Sequence, residues 1–203
     1  MRKPLACPEP GRQYPLVAPI DHAIPVDRIE RPENAMLELS DGEIRSSFVN
    51  CPKGETKRMH YPPTMPVLGW EDTDFLGWVD PKAPNRAYLV IDAGEHPIGV
   101  ALRLPNSGRK TDFSKSMTCS FCVTVHPAGG VRLFSAPKPG KAGRQGDTVG
   151  LYVCADLACS LYARGKRESS LIQPAETIGR EERIQRLRLN VDRFVSRFLD
   201  GQG

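Results

Sequence analysis

The hydrophobic pattern changes period twice along this chain. Ala87-Tyr-Leu-Val-Ile91 and Ile98-Gly-Val-Ala-Leu-Arg-Leu104 are short, largely apolar runs flanking Asp92-Ala-Gly-Glu-His-Pro97. That arrangement predicts two antiparallel strands and a turn, with His96 exposed in it. A second hairpin is predicted from the alternation Val131-Arg-Leu-Phe134 and its partner Thr148-Val-Gly-Leu-Tyr-Val153. Over 175–199 the period becomes helical: Ile184, Leu187, Val191, Phe194, Val195 and Phe198 recur at three and four positions, one core-facing stripe on a long amphipathic helix. Arg180, Arg183, Arg186, Arg193 and Arg197 fall largely off the stripe, interleaved with Glu181, Glu182 and Asp192. A solvated face is their ordinary reading, and RNA contact the sharper one.

Earlier in the chain, Ser40-Asp-Gly-Glu43 reads as a capping box that opens a short helix, with Ile44 and Phe48 on one face and an end before Pro52. Lys53, Lys57 and Arg58 make a small basic patch in the turn that follows. Between Trp70 and Pro84 there is no period. Trp70, Phe75 and Trp78 are expected to anchor the core from an irregular segment. Asp72, Asp74 and Asp80 lack the later bidentate glutamate of a calcium loop.

The polar, proline-bearing stretches set the boundaries. Residues 1–35 contain seven prolines and little periodicity, which predicts a disordered extension, with the ordered domain spanning 36–203. Met36 stands where the pattern begins, and is expected either to be the translation start or to follow a dispensable segment. With 203 residues the chain can bury one sizeable core. It has no long apolar run, so no membrane span is expected. Nor does it begin with a basic-then-apolar signal segment, which points to the cytoplasm. A net charge of +4 permits an RNA or acidic protein partner without requiring one.

Cysteine carries the clearest chemistry. Cys119-Ser-Phe-Cys122 and Cys154-Ala-Asp-Leu-Ala-Cys159 are separated by thirty-one residues. Two close pairs flanking a hairpin-sized insert are the spacing of a four-thiolate structural zinc site. A redox pair would need one Cys-x-x-Cys opening a helix, whereas Cys122 leads into Val-Thr-Val-His126 and a Gly129-Gly130 turn. A disulfide framework needs an oxidising compartment. Four buried thiols without metal is the blandest alternative. Cys7 and Cys51 stand alone and are read as non-ligands. Asp156 is placed to cap a helix carrying Cys159 in its first turn, with Leu157, Leu161 and Tyr162 on its buried side and Gly165 at its end.

Between the strands of the second hairpin lies Ala136-Pro-Lys138-Pro-Gly-Lys141-Ala-Gly-Arg144-Gln-Gly146. It has no large apolar side chain, so it is expected to project as a mobile cationic loop suited to phosphates or acidic patches. An inert hairpin tip is the alternative.

A knuckle, a hairpin and a helix bearing the last ligand follow the order of a treble-clef zinc finger. The chain is therefore read as α+β, with the finger at 119–165, antiparallel hairpins and a long C-terminal amphipathic helix. Cys119-Ser-Phe-Cys122, Val131-Arg-Leu-Phe134, Gly140-Lys-Ala-Gly-Arg144 and Gly150-Leu-Tyr-Val-Cys154-Ala-Asp-Leu-Ala-Cys159-Ser-Leu-Tyr162 together resemble one family. It is the elongation factor G-binding domain of FusB-type fusidic acid resistance proteins, the FBP domain. Ile44-Arg-Ser-Ser-Phe-Val-Asn50 and Leu76-Gly-Trp78-Val-Asp-Pro-Lys82 extend the resemblance over about 38–199.

The resemblance implies one structural zinc ion on Cys119, Cys122, Cys154 and Cys159, a non-enzymatic role, and binding to elongation factor G that promotes its release from the ribosome. Phe121, Lys138, Lys141, Arg144 and Tyr152 are the expected contact surface, and a monomer suffices. An RNA- or ribosome-binding zinc module is the alternative. The resistance proteins also carry an N-terminal helical bundle, which the proline-rich residues 1–35 do not supply.

Overall fold

The computed structural model describes residues 36–63, 65, 69–93, 96–104 and 115–200. The segment 1–35, the loop 105–110 and the tip of the first turn lie outside these residues. A five-stranded antiparallel sheet runs in the order β1 (Phe75–Val79), β2 (Arg86–Asp92), β3 (Pro97–Arg103), β6 (Val131–Pro137) and β7 (Thr148–Cys154). Strands β4 (Met117–Thr118) and β5 (Val125–His126) pair separately. Both predicted hairpins are present. The first pairs Arg86 with Arg103 through Asp92 with Pro97; the second pairs Val131 with Cys154 through Pro137 with Thr148.

Strand β1 corrects the expectation of an irregular segment around Trp78. Its five residues pair with β2 from Phe75↔Ile91 to Val79↔Ala87. The flanking aspartates and Pro81 obscured it, and Gly77 interrupts the apolar run. Tertiary packing requires that glycine: a Cβ there would lie 2.9 Å from the Cβ of Leu157.

Alternation along the strands builds two apolar layers. One face presents Phe75, Leu89, Ile91, Val100, Leu102, Phe134, Leu151 and Val153 to Leu187, Val191, Phe194 and Phe198 of α5 (Arg180–Leu199). The other presents Leu76, Trp78, Tyr88, Val90 and Ala101 to Met36, Ile44 and Met59, carried by the segment that holds α1 (Asp41–Ser46) and α2 (Lys53–Thr56). The capping box forms as read: Glu43 N–H donates to Ser40 Oγ over 3.3 Å, and Ser40 N–H donates to Glu43 Oε2 over 2.8 Å. Helix α1 stops at Ser46, so Phe48 lies beyond it and bridges to Gly99 instead. Lys53, Lys57 and Arg58 are exposed on and just after α2.

Strands β3 and β6 share a single registered pair, Arg103↔Ser135. Asn50 closes the rest of the seam. Its Nδ2 donates to the carbonyls of Ala101 (2.9 Å) and Pro137 (2.8 Å), and its Oδ1 accepts from Ala101 N–H (2.7 Å).

Helix α5 begins at Arg180, later than the expected 175. The preceding residues are held by other partners. Gln173 exchanges two hydrogen bonds with the backbone of Val125, and Glu176 takes a bidentate contact from Arg186. Glu182 then accepts from Gly179 N–H over 2.7 Å and starts the helix.

The acidic segment before β1 is an ionic anchor for both C-terminal helices. Asp74 is buried and accepts from Arg164 and Arg188, while its N–H donates to Ser160 Oγ over 2.9 Å. Asp72 pairs with Lys166. Asp80, equally buried, accepts the backbone N–H groups of His60, Lys82 and Ala83 and so closes a turn. No helix among the described residues is long and apolar enough to cross a membrane.

Candidate metal centre

The first cysteine pair sits on a tight knuckle between β4 and β5. Cys119 N–H donates to the Thr124 carbonyl and Val123 N–H to the Cys119 carbonyl, each over 3.0 Å. Val123 takes φ 63°, a left-handed conformation costing a β-branched residue on the order of 1–2 kcal/mol. Holding both sulfurs on one side offsets that cost. Phe121 N–H points at Cys119 Sγ over 3.4 Å, a charge-stabilising contact for a thiolate.

The second pair is positioned by a strand end and a helix start. Cys154 is the last residue of β7, and Cys159 is the first of α4 (Cys159–Ala163). Leu157 turns the chain between them with φ 57° and buries its side chain against β1. Asp156 does not occupy the cap position, which falls to Ala158. Its carboxylate nonetheless accepts from Ala158 N–H (3.1 Å), Tyr162 Oη (3.0 Å) and Arg167 (2.9 Å). Of the residues expected on the buried side of α4, Leu157 is buried and Leu161 and Tyr162 are half-buried. Gly165, with φ 68°, ends the helix.

All four sulfurs are buried and lie within 4.8 Å of one another. Cys119 and Cys159 are separated by 3.7 Å, and Cys122 and Cys154 by 3.5 Å. Four sulfurs each about 2.3 Å from a tetrahedral zinc ion are about 3.8 Å apart, so these two separations match that ion. Without a cation, burial pushes the Cys159 thiol well above its ordinary pKa. A bound divalent ion reverses that preference by stabilising the thiolate. These cysteines form a zinc-binding site, closed by four protein ligands. Among the described residues no other group of His, Cys, Asp or Glu is gathered in this way.

Sequence reasoning missed one neighbour. His126, on β5, is buried with Nε2 3.3 Å from Cys154 Sγ, and its ring meets Tyr162 edge to face at 4.7 Å. An N–H donated from Nε2 would orient and partly neutralise that thiolate from outside the ligand set. Its position, two residues into the return strand after the knuckle, was the available signal. Asn190 of α5 also donates to the Phe121 carbonyl over 2.9 Å, locking the knuckle to the C-terminal helix.

The five expected contact residues separate into two groups. Phe121 is buried, with its ring against Phe75 and Phe194, and therefore belongs to the core and not to a contact surface. Lys138 is held by Asp147 at 3.3 Å, with a backbone hydrogen bond of 2.9 Å between the same residues. The expected mobile loop contains a helical turn, α3 (Gly140–Arg144), closed by Gln145 N–H on Lys141 O and Asp147 N–H on Ala142 O. Ala136 is buried, so this end of the hairpin does contribute to the core. Lys141 and Arg144 are exposed and have no carboxylate partner among the described residues. Tyr152 is 41% exposed on β7.

Comparison with curated proteins and with solved structures returned no match. Residues 43–198 match the family described as FBP C-terminal treble-clef zinc-finger, a span from the α1 capping box to the last buried phenylalanine of α5. With the four cysteines gathered in the order knuckle, hairpin, helix, the chain belongs to the FBP C-terminal treble-clef zinc-finger family.

Proposed function

We propose that this protein is a cytoplasmic, non-enzymatic binding module for translation elongation factor G, acting as a monomer and favouring release of the factor from the ribosome as FusB-type resistance proteins do. Family membership supports a role connected with a translation factor. The observation that carries the surface is the β6–β7 hairpin. One end is pinned at Cys154 in the metal centre, and the other presents Lys141 and Arg144 without carboxylate partners among the described residues, with Tyr152 exposed between the two ends. A rigid arm ending in unneutralised cations and an aromatic suits an acidic protein face. Release needs no bond to be made. A binder that prefers one conformation of the factor shifts its population toward that state.

RNA or ribosome binding through the α5 arginines is the second reading. It is weaker because Arg186 and Arg188 are already engaged by Glu176 and Asp74. A pull-down of zinc-loaded protein with purified elongation factor G, without RNA, at moderate and high salt separates the two. Salt-tolerant capture that is lost in the Lys141→Ala, Arg144→Ala double variant supports the factor reading. Absence of capture, together with salt-sensitive retention on ribosomal RNA, refutes it.

A further inference from the structure

The two edges of the sheet are built differently. Strand β1 is buried or half-buried along its length, whereas β7 has exposed residues at Thr148, Gly150 and Tyr152. Backbone direction along β7 follows from its partners. Asp147 O accepts from Lys138 N–H and Ala155 N–H donates to Gly130 O, so the odd-numbered residues face β6. Tyr152 O instead accepts from Ser120 N–H over 2.7 Å, on the opposite side. The even-numbered residues therefore point away from the sheet, and the N–H and C=O of Thr148 and Gly150 have no partner among the described residues. Natural edges are usually blunted by lysine, proline or a bulge. Thr148-Val-Gly-Leu-Tyr-Val-Cys154 has none of these and pairs with β6 without interruption. The zinc knuckle already uses this edge once, through Ser120.

We infer that the free edge of β7 receives an extended, carboxylate-rich segment of the partner protein by strand addition. The inference rests on the proposed function and takes that partner to be elongation factor G. Main-chain hydrogen bonds to Thr148 and Gly150 supply sequence-tolerant affinity. Carboxylates on the added segment are selected by Lys141 and Arg144 at the hairpin end where the edge begins, since Lys138 is already neutralised by Asp147. Tyr152 offers a cross-strand aromatic neighbour at the far end of the free stretch. Gly150 lets another backbone approach without a side chain in the way.

The test combines residue-resolved amide exchange with one backbone substitution in the full-length, zinc-loaded chain. In complex with purified elongation factor G, the Thr148 and Gly150 amides are expected to exchange at least about tenfold more slowly than in the free protein. Gly150→Pro removes an outward N–H without touching the β6 ladder, and is expected to weaken binding about tenfold or more. Gly150→Ala, whose Cβ meets only Leu133 Cδ1 at 3.4 Å, is expected to bind within about twofold of the parent. Equal zinc content and thermal midpoint in the two variants establishes that the proline is tolerated. A complex that forms with both amides still exchanging freely, and with Gly150→Pro binding like Gly150→Ala, overturns strand addition while leaving the factor reading intact. Failure to form any complex overturns both. Protection that appears with protein concentration alone assigns the edge to a second copy of this chain, and retention on RNA without protection assigns the partner to RNA; either overturns the inference.

Discussion

Arg188, within α5, donates its Nε–H to the Asp74 carboxylate over 2.8 Å, tying the C-terminal helix to the residue that precedes β1. Arg164 of the zinc-finger segment donates to the same carboxylate, and its side chain is only 7% exposed. One carboxylate thus joins the start of the sheet, the zinc finger and the last helix. Removing it in Asp74→Ala leaves the buried Arg164 guanidinium with only its longer contact to Asp72, Nε to Oδ1 over 3.8 Å, a cost expected to be about 3 kcal/mol. Urea unfolding should show the midpoint falling accordingly, whereas Lys166→Ala, which loses an exposed partner of Asp72, should change stability by less than about 1 kcal/mol.

Metal removal should unfold the finger, because the four sulfurs converge from a knuckle, a strand end and a helix start, and the ion is what joins all three at one buried point. Cys154→Ser is expected to lose the bound zinc, measured as metal per chain by mass spectrometry, and to lose tertiary order in the C-terminal half. A variant that kept its fold without its metal would contradict the role assigned to the centre.

Gly77 and Leu157 place the finger against the sheet. A Cβ at position 77 would also meet Phe75 at 3.0 Å and Leu89 at 3.1 Å, so Gly77→Ala overfills the layer. Destabilisation of about 1–3 kcal/mol is expected, together with faster zinc loss to a competing chelator, since Leu157 lies between two ligands. A thermal scan and a chelator time course read the two effects separately.

Cys51 should be silent. Burial, with Glu55 nearby, pushes its thiol up to about 12, so at pH 8 roughly one molecule in ten thousand carries the reactive thiolate. In a Cys7→Ser background, the native zinc-loaded protein is expected to show no rapid labelling by a thiol-specific disulfide reagent. Four further thiols should become reactive after metal is chelated.

Asn50 should matter more than an isolated loop asparagine. Its amide makes three hydrogen bonds across a seam where β3 and β6 share one registered pair. Asn50→Ala leaves those backbone groups unsatisfied, at an expected cost of about 1–3 kcal/mol seen in chemical denaturation.

The elements whose partners are close in sequence were legible from the chain. The β2–β3 and β6–β7 hairpins, the Ser40 capping box and the stripe on α5 each depend on local alternation or on groups three and four residues apart. The zinc ligands were legible for a different reason. Cysteine is scarce, and its two-plus-two spacing is chemically specific.

What the sequence left unread depended on distant partners. Strand β1 is set by pairing with β2 and by Leu157 over Gly77, neither of which alters the local pattern around Trp78. Asp74 looked like one of three scattered acids because its arginines lie 90 and 114 residues away. Phe121 was expected on the contact surface, yet α5 returns to cover it, and His126 stands beside Cys154 only because the knuckle closes on the hairpin. By itself, then, the sequence determined the metal, its four ligands and the hairpins that carry them, since those follow from short-range periodicity and the coordination demands of thiolates. Only the tertiary structure decided which side chains were buried and which charges were already neutralised, because both depend on partners brought together from distant parts of the chain.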